Sequence, residues 1–212
     1  MSGQLPLPLD WKAARGARDF FVSAANAEAV RFLDSWAIWP LPVALLVGPA
    51  GSGKTHLGGI FARRVNARLW DDADRTAAEE ALFHAWNEAL ETRRPLLMTA
   101  RSEPEDWHLG LPDLVSRLKA TPRVRIHAPD DALLAHLFRK LWRDRGVEVG
   151  EELARYVLTR IERSFAGVAQ AVEAIDRRAL AAGRPPSLAL AREALLDLEA
   201  LEPDFRDRPL PR

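Results

Sequence analysis

The chain has 212 residues, 48% of them hydrophobic, enough to bury a substantial core as one domain with a smaller appendage. Thirty basic residues balance thirty acidic ones, which argues against a domain built mainly to hold nucleic-acid phosphates, and the absence of cysteine excludes a disulfide framework and a thiolate zinc site. No basic segment precedes an apolar leader and no apolar run approaches the ~20 residues of a membrane helix, so a cytoplasmic protein with no membrane partner is expected.

Residues 1–10 read as a flexible arm. Within it, Gln4-Leu5-Pro6-Leu7-Pro8-Leu9 carries leucines at alternate positions, as a strand does, yet Pro6 and Pro8 lack the N–H groups that a sheet interior needs. A helix is predicted over 26–39 from Ala29, Val30, Leu33 and Trp36, capped by Ser23 or Asn26 and ended by Pro40 and Pro42. Val43-Ala44-Leu45-Leu46-Val47 has the continuous apolar pattern of a strand buried on both faces of a parallel sheet. A helix over 53–65, a short strand at Arg68-Leu69-Trp70 and an acidic turn at 71–74 follow. The next helix is expected to start at Thr76, with Thr76 and Glu79 as a capping box, and to run to Pro95. Two further strands are predicted at 96–100 and 124–127, separated by a short helix from Pro112. Strand and helix alternate to this point, which indicates an α/β layer over 11–129. From Asp130 only helical patterns remain, near 130–145, 151–163, 165–182 and 187–200, so a four-helix domain is expected over 130–201 and a frayed tail over 202–212.

Gly48-Pro49-Ala50-Gly51-Ser52-Gly53-Lys54-Thr55 matches G-x-x-x-x-G-K-[ST] in full, after a predicted buried strand and at the start of a helix. Its glycines let backbone N–H groups face phosphate oxygens, Lys54 reaches the β- and γ-phosphates, and the Thr55 hydroxyl ligates Mg²⁺. Asp71 and Asp72 have two readings. One is the acidic end of a Walker B strand, with Asp71 holding Mg²⁺ through water and Asp72 polarising an attacking water; the other is a solvated acidic turn. The preceding apolar pair and the position between P-loop and next strand favour the first. Thr99, polar at the end of an apolar strand, is placed to sense the γ-phosphate, although threonine is common in strands. Arg117 reads either as surface solvation or as an arginine finger completing a site on a neighbouring subunit. Arg163, at a helix entrance in the second domain, has the same two readings toward the nucleotide.

Together these stretches resemble the DnaA-related AAA+ family, and within it the Hda group of replication-initiation regulators. The resemblance is carried by the Gln4 to Leu9 peptide, the P-loop, Asp71-Asp72-Ala73-Asp74-Arg75, Leu96 to Arg101, Leu109-Gly110-Leu111-Pro112-Asp113-Leu114-Val115-Ser116-Arg117-Leu118 and Glu162-Arg163-Ser164-Phe165, and it covers nearly the whole chain. It implies an AAA+ P-loop NTPase with a C-terminal four-helix lid that binds ADP or ATP with Mg²⁺ through Gly48, Gly51, Ser52, Gly53, Lys54, Thr55 and His56, with Thr99 and Arg163. It also implies docking on the DNA polymerase III sliding clamp (β subunit) through Gln4, Leu5, Leu7 and Leu9. There the protein would stimulate hydrolysis of the ATP held by DnaA and so prevent re-initiation, with Arg117 in the arginine-finger position. A gap-free match puts Ala166, not Arg163, at the sensor 2 arginine.

Two departures modify the expectation. Only sixteen residues separate Lys54 from Asp71, where the family fits a further strand and helix, so the sheet should have four strands, and intrinsic ATPase activity is in doubt. The chain also ends about where the lid ends, so no helix-turn-helix domain and no sequence-specific DNA binding are expected. A homodimer stays open. The competing readings are a small P-loop kinase and a nucleotide-stabilised clamp adaptor without catalysis; about seventy helical residues after the last strand disfavour the kinase.

Overall fold

A computed structural model of the chain describes residues 20–75 and 78–201, with the side chains of 199–201 excepted. The Gln4, Leu5, Leu7 and Leu9 peptide, Thr76 and the 202–212 tail lie outside the described residues. The described chain divides into two compact units. The first comprises residues 20–22, 27–48 and 53–126; the second comprises 23–26, 49–52 and 127–201.

The first unit is built on a four-stranded parallel sheet: β1 (Val43–Val47), β2 (Arg68–Trp70), β3 (Leu96–Ala100) and β4 (Arg123–Arg125), in the order β2-β3-β1-β4. All five residues of β1 and of β3 are buried, because helices cover both faces. On one face Val43, Leu45 and Val47 join Leu96, Met98 and Ala100 against α3 (Glu79–Thr92) and α4 (Pro112–Ala120). On the other, Ala44, Leu46 and Leu97 pack with α1 (Ala27–Asp34) and α2 (Lys54–Val65). The period of two along each strand thus serves two separate cores. β2 forms an edge, pairing only with β3 among the described residues, with Arg68 opposite Leu96 and Trp70 opposite Met98. Gly58 of α2 admits this close approach, since a Cβ there would lie 2.8 Å from Leu69 Cδ1.

The second unit contains α5 (Asp131–Arg143), α6 (Glu151–Leu158), α7 (Phe165–Ala182) and α8 (Leu188–Leu201). Phe138 and Trp142 of α5, Val157 of α6, Val172 and Ile175 of α7 and Ala191 of α8 close its core. Asp130 caps α5, its Oδ1 accepting the Leu133 N–H at 2.8 Å, and Ser164 caps α7 by accepting the Gly167 N–H at 2.9 Å. Hydrogen bonds from Leu133, Ser23, Ala25 and Ala24 outweigh the desolvation that alone would raise the Asp130 carboxyl, and hold it below the usual aspartate range. At Gly167 the chain passes so close that a Cβ would meet the Glu162 carbonyl oxygen at 2.5 Å. No helix among the described residues is long and apolar enough to cross a membrane.

Four expected elements differ in detail. The helix predicted over 26–39 ends at Asp34 and gives way to a 3₁₀ turn at Trp36–Ile38; Ser35 Oγ donates to Phe32 O, and Trp39 stacks on Phe32. The helix at 151–163 stops at Leu158, and the strand predicted at 124–127 is Arg123–Arg125. α3, expected from Thr76, begins at Glu79, whose two carboxylate oxygens accept the N–H groups of Gly110 and Leu111, while the Thr76 side of the expected capping box lies outside the described residues.

Candidate functional site

The loop that follows β1 begins with Gly48, whose N–H donates to Ala100 O at 3.1 Å and whose carbonyl accepts Lys54 Nζ at 2.8 Å. Gly51 and Gly53 hold φ of +74° and +84°, backbone that glycine adopts without strain. Ser52 N–H donates to Pro49 O at 3.3 Å, while the Ser52 hydroxyl is buried with no hydrogen-bond partner among the described residues.

Lys54 opens α2 and is only 5% exposed. Burial takes its ammonium out of water and lowers its pKa from the ordinary 10.5, and Arg101 pushes the same way, against the opposing carboxylates of Asp72, Asp74 and Asp71. One residue on, the Thr55 hydroxyl lies 2.8 and 3.0 Å from the two oxygens of Asp71. Thr99, fully buried near the end of β3, donates from Oγ1 to Asp71 Oδ1 at 2.5 Å and accepts the Asp72 N–H at 3.0 Å. The structure therefore brings Lys54, Thr55, Asp71, Asp72 and Thr99 to one end of β1, β2 and β3. Asp72 takes a left-handed conformation (φ +48°), and its carboxylate is 3.4 Å from Arg101 Nη2. Asp74 Oδ2 accepts the Arg101 N–H at 3.0 Å. His56 meets the ring of Phe20 edge-on, with centroids 5.8 Å apart.

A buried amine beside a carbonyl, next to a hydroxyl paired with a carboxylate, suits a phosphate-bearing ligand. Among the described residues no group of three or more His, Asp or Glu is placed to hold a metal ion.

The two arginines have partners within their own units. Arg117, half-buried on α4, donates from Nε to Asn87 Oδ1 at 3.1 Å and from Nη1 to Asp113 O at 3.4 Å, and its guanidinium carbon sits 4.5 Å from the centre of the Phe83 ring and 5.3 Å from that of Trp86. Arg163, in the helical unit, pairs with Asp131 Oδ1 at 2.5 Å. Sequence reasoning assigned no role to Arg101 or Asn87, and gave Glu79 only a local capping role. Only Arg101 leaves a trace in the sequence, as a charged residue two positions beyond Thr99.

A parallel sheet with its P-loop strand between β3 and β4, helices on both faces and a four-helix unit after the last strand define an AAA+ fold, here with the sheet shortened to four strands. No family model matches the chain. Solved structures do. Domain III of the replication initiation protein DnaA of Thermotoga maritima is similar at 19% identity and a TM-score of 0.69, over 85% of this chain and 95% of that chain. AMPPCP-bound DnaA of Aquifex aeolicus is similar at 16% identity and a TM-score of 0.60, over 87% and 68%. The RuvB Holliday junction branch migration motor of Thermotoga maritima gives 16% identity and a TM-score of 0.58, over 81% and 67%. At these identities the likeness establishes a DnaA-like AAA+ fold.

Proposed function

We propose that this chain is an adenine-nucleotide-binding regulator of replication initiation. One observation carries the nucleotide part: the buried Lys54 amine stands beside the Thr55–Asp71–Thr99 network at the end of β1, β2 and β3. ADP or ATP would lie on the loop Gly48–Thr55, where Lys54 neutralises phosphate charge and Thr55 and Asp71 hold Mg²⁺, which supplies further neutralisation of the phosphates. His56, Thr99 and Arg163 belong to the same reading. The Asp72 carboxylate, the candidate for polarising water, is directed at Arg101, which supports slow hydrolysis by this chain itself.

The regulatory part rests on the resemblance. The Gln4–Leu9 peptide, with Gln4, Leu5, Leu7 and Leu9, docks on the sliding clamp, and Arg117 acts across an interface on the ATP held by DnaA. Prolines at 6 and 8 pre-extend the peptide and reduce the entropy lost on docking.

The test has three arms. A fluorescent ADP analogue should bind wild type and lose about 100-fold in affinity with Lys54→Ala, the equivalent of ~3 kcal/mol of charge-assisted hydrogen bonding. Purified clamp should retain wild type but not Gln4→Ala. DnaA-bound ATP hydrolysis should rise with wild type and stay at its basal rate with Arg117→Ala. Clamp binding and full stimulation by Arg117→Ala would leave an adaptor without catalysis.

A further inference from the structure

Helix α4, which carries Arg117, is fastened to α3 at three levels. Just before its first turn, the Glu79 carboxylate accepts the N–H groups of Gly110 and of the N-cap residue Leu111 at 3.0 and 2.8 Å. In its middle, Asn87 Oδ1 accepts the Arg117 Nε–H at 3.1 Å. At its foot, Thr121 accepts the Trp86 indole N–H at 3.1 Å and donates to the Arg117 carbonyl at 2.9 Å. Glu79, at the start of α3, meets the chain just before α4, and Trp86 and Asn87, two turns on, meet its foot and middle, so the two helices run in the same direction.

The guanidinium itself is held on three sides. Asn87 fixes Nε, the Asp113 carbonyl receives Nη1, and the face lies over Phe83 and Trp86. A guanidinium has five N–H donors in a rigid plane. Two are used here, and Nη2 has no hydrogen-bond partner among the described residues. The contacts therefore fix the plane while leaving the outer edge of the fork for an oxyanion. A free arginine would have to give up its rotamer freedom at the moment of encounter, and this one has already done so.

We infer that α3 is a template that presents the Arg117 guanidinium to a phosphate held by another protein, with Asn87 and Glu79 as positioning residues. Asn87 sets the orientation of the guanidinium directly. Glu79 sets the level of α4 by anchoring the two residues that lead into it. The inference rests on the proposed role of Arg117 toward nucleotide on a partner, and the experiment separates the two.

Stimulated hydrolysis of initiator-bound ATP is measured against concentration of wild type, Asn87→Ala, Glu79→Gln and Arg117→Ala. The ¹⁵Nε relaxation of Arg117 is recorded in wild type and in Asn87→Ala. Wild type should show a rigid Arg117 Nε–H, and Asn87→Ala should make it as mobile as an exposed arginine. The same variant should cut the maximal stimulated rate about ten-fold, ~1.4 kcal/mol of transition-state stabilisation, with an unchanged half-saturating concentration and unchanged melting. Glu79→Gln, which keeps one acceptor, should fall between. Full stimulation by Asn87→Ala alongside an inactive Arg117→Ala overturns the template and leaves the arginine's role standing. Full stimulation by Arg117→Ala removes that role and the template with it. A wild-type Nε–H already mobile overturns the template whatever the rates.

Discussion

Replacing Thr99 by valine keeps the volume of a fully buried side chain and deletes a single hydroxyl that serves two partners. Asp71 loses the donor on Oδ1, and the Asp72 N–H loses its acceptor. Each lost bond costs about 1–2 kcal/mol, more where a charged group is involved, so the variant should be destabilised by roughly 2–4 kcal/mol. The functional consequence is separable from the stability loss. Thr55 still reaches Asp71, but the carboxylate is no longer held from the β3 side, so the Mg²⁺-dependent part of nucleotide affinity should fall about ten-fold, while affinity measured in excess chelator stays within two-fold. Urea denaturation followed by tryptophan fluorescence reads the first effect, and nucleotide titration with and without Mg²⁺ reads the second. Thr99→Ser, which restores the hydroxyl, should recover most of both. A Thr99→Val protein within about 0.5 kcal/mol of wild type and with an unaltered Mg²⁺ dependence would refute the reading of Thr99 as the group that orients Asp71.

Gly167→Ala should destabilise the helical unit by about 2 kcal/mol or more, because its Cβ would stand 2.5 Å from the Glu162 carbonyl oxygen, which is backbone and not a yielding side chain; circular dichroism melts check it, and an unchanged melt rejects the close approach. Asp130 is held below its usual 3.8, so its carboxylate contributes stability that is fully present above that value and is lost as pH falls through the lower folded value. Asp130→Asn should therefore flatten the acid limb of the stability profile below about pH 4, and an unaltered slope there argues against it. Lys54 has the opposite sign of coupling: its folded pKa lies below 10.5, and a bound phosphate restores the charged form, so nucleotide binding should take up a proton in the alkaline window beneath 10.5. Calorimetry in buffers of different ionisation enthalpy shows that uptake directly, and a heat independent of buffer contradicts it.

The parts of this fold that were legible in the sequence are those where one local signal dominates. Val43–Val47 followed by the P-loop pattern fixes a strand, a turn and a helix start in thirteen residues, and the short interval from Lys54 to Asp71 foretells the four-stranded sheet. Asp71 could be singled out because two carboxylates follow an apolar pair. What stayed hidden depends on partners distant in sequence. Glu79 sits three residues after a threonine, as a capping box requires, and nothing in that spacing announces the bonds its carboxylate makes thirty-one and thirty-two residues away. Asn87 looks like one more polar residue on an amphipathic helix until α4 is laid beside it. The break after Asp34 depends on Ser35 turning its hydroxyl back on Phe32, a choice that apolar periodicity does not register.

The three-residue edge strand β2 has a bearing on self-association. An open sheet edge invites a foreign strand, and the number of backbone bonds such an intruder can form grows with the length of the edge. Arg68–Trp70 offers only three residues, and the first of them is an arginine whose guanidinium is paired with Glu88. Among the described residues the β2 border is thus too short and too charged to template cross-β growth, so lengthening β2 with apolar residues should convert a benign margin into an aggregation nucleus.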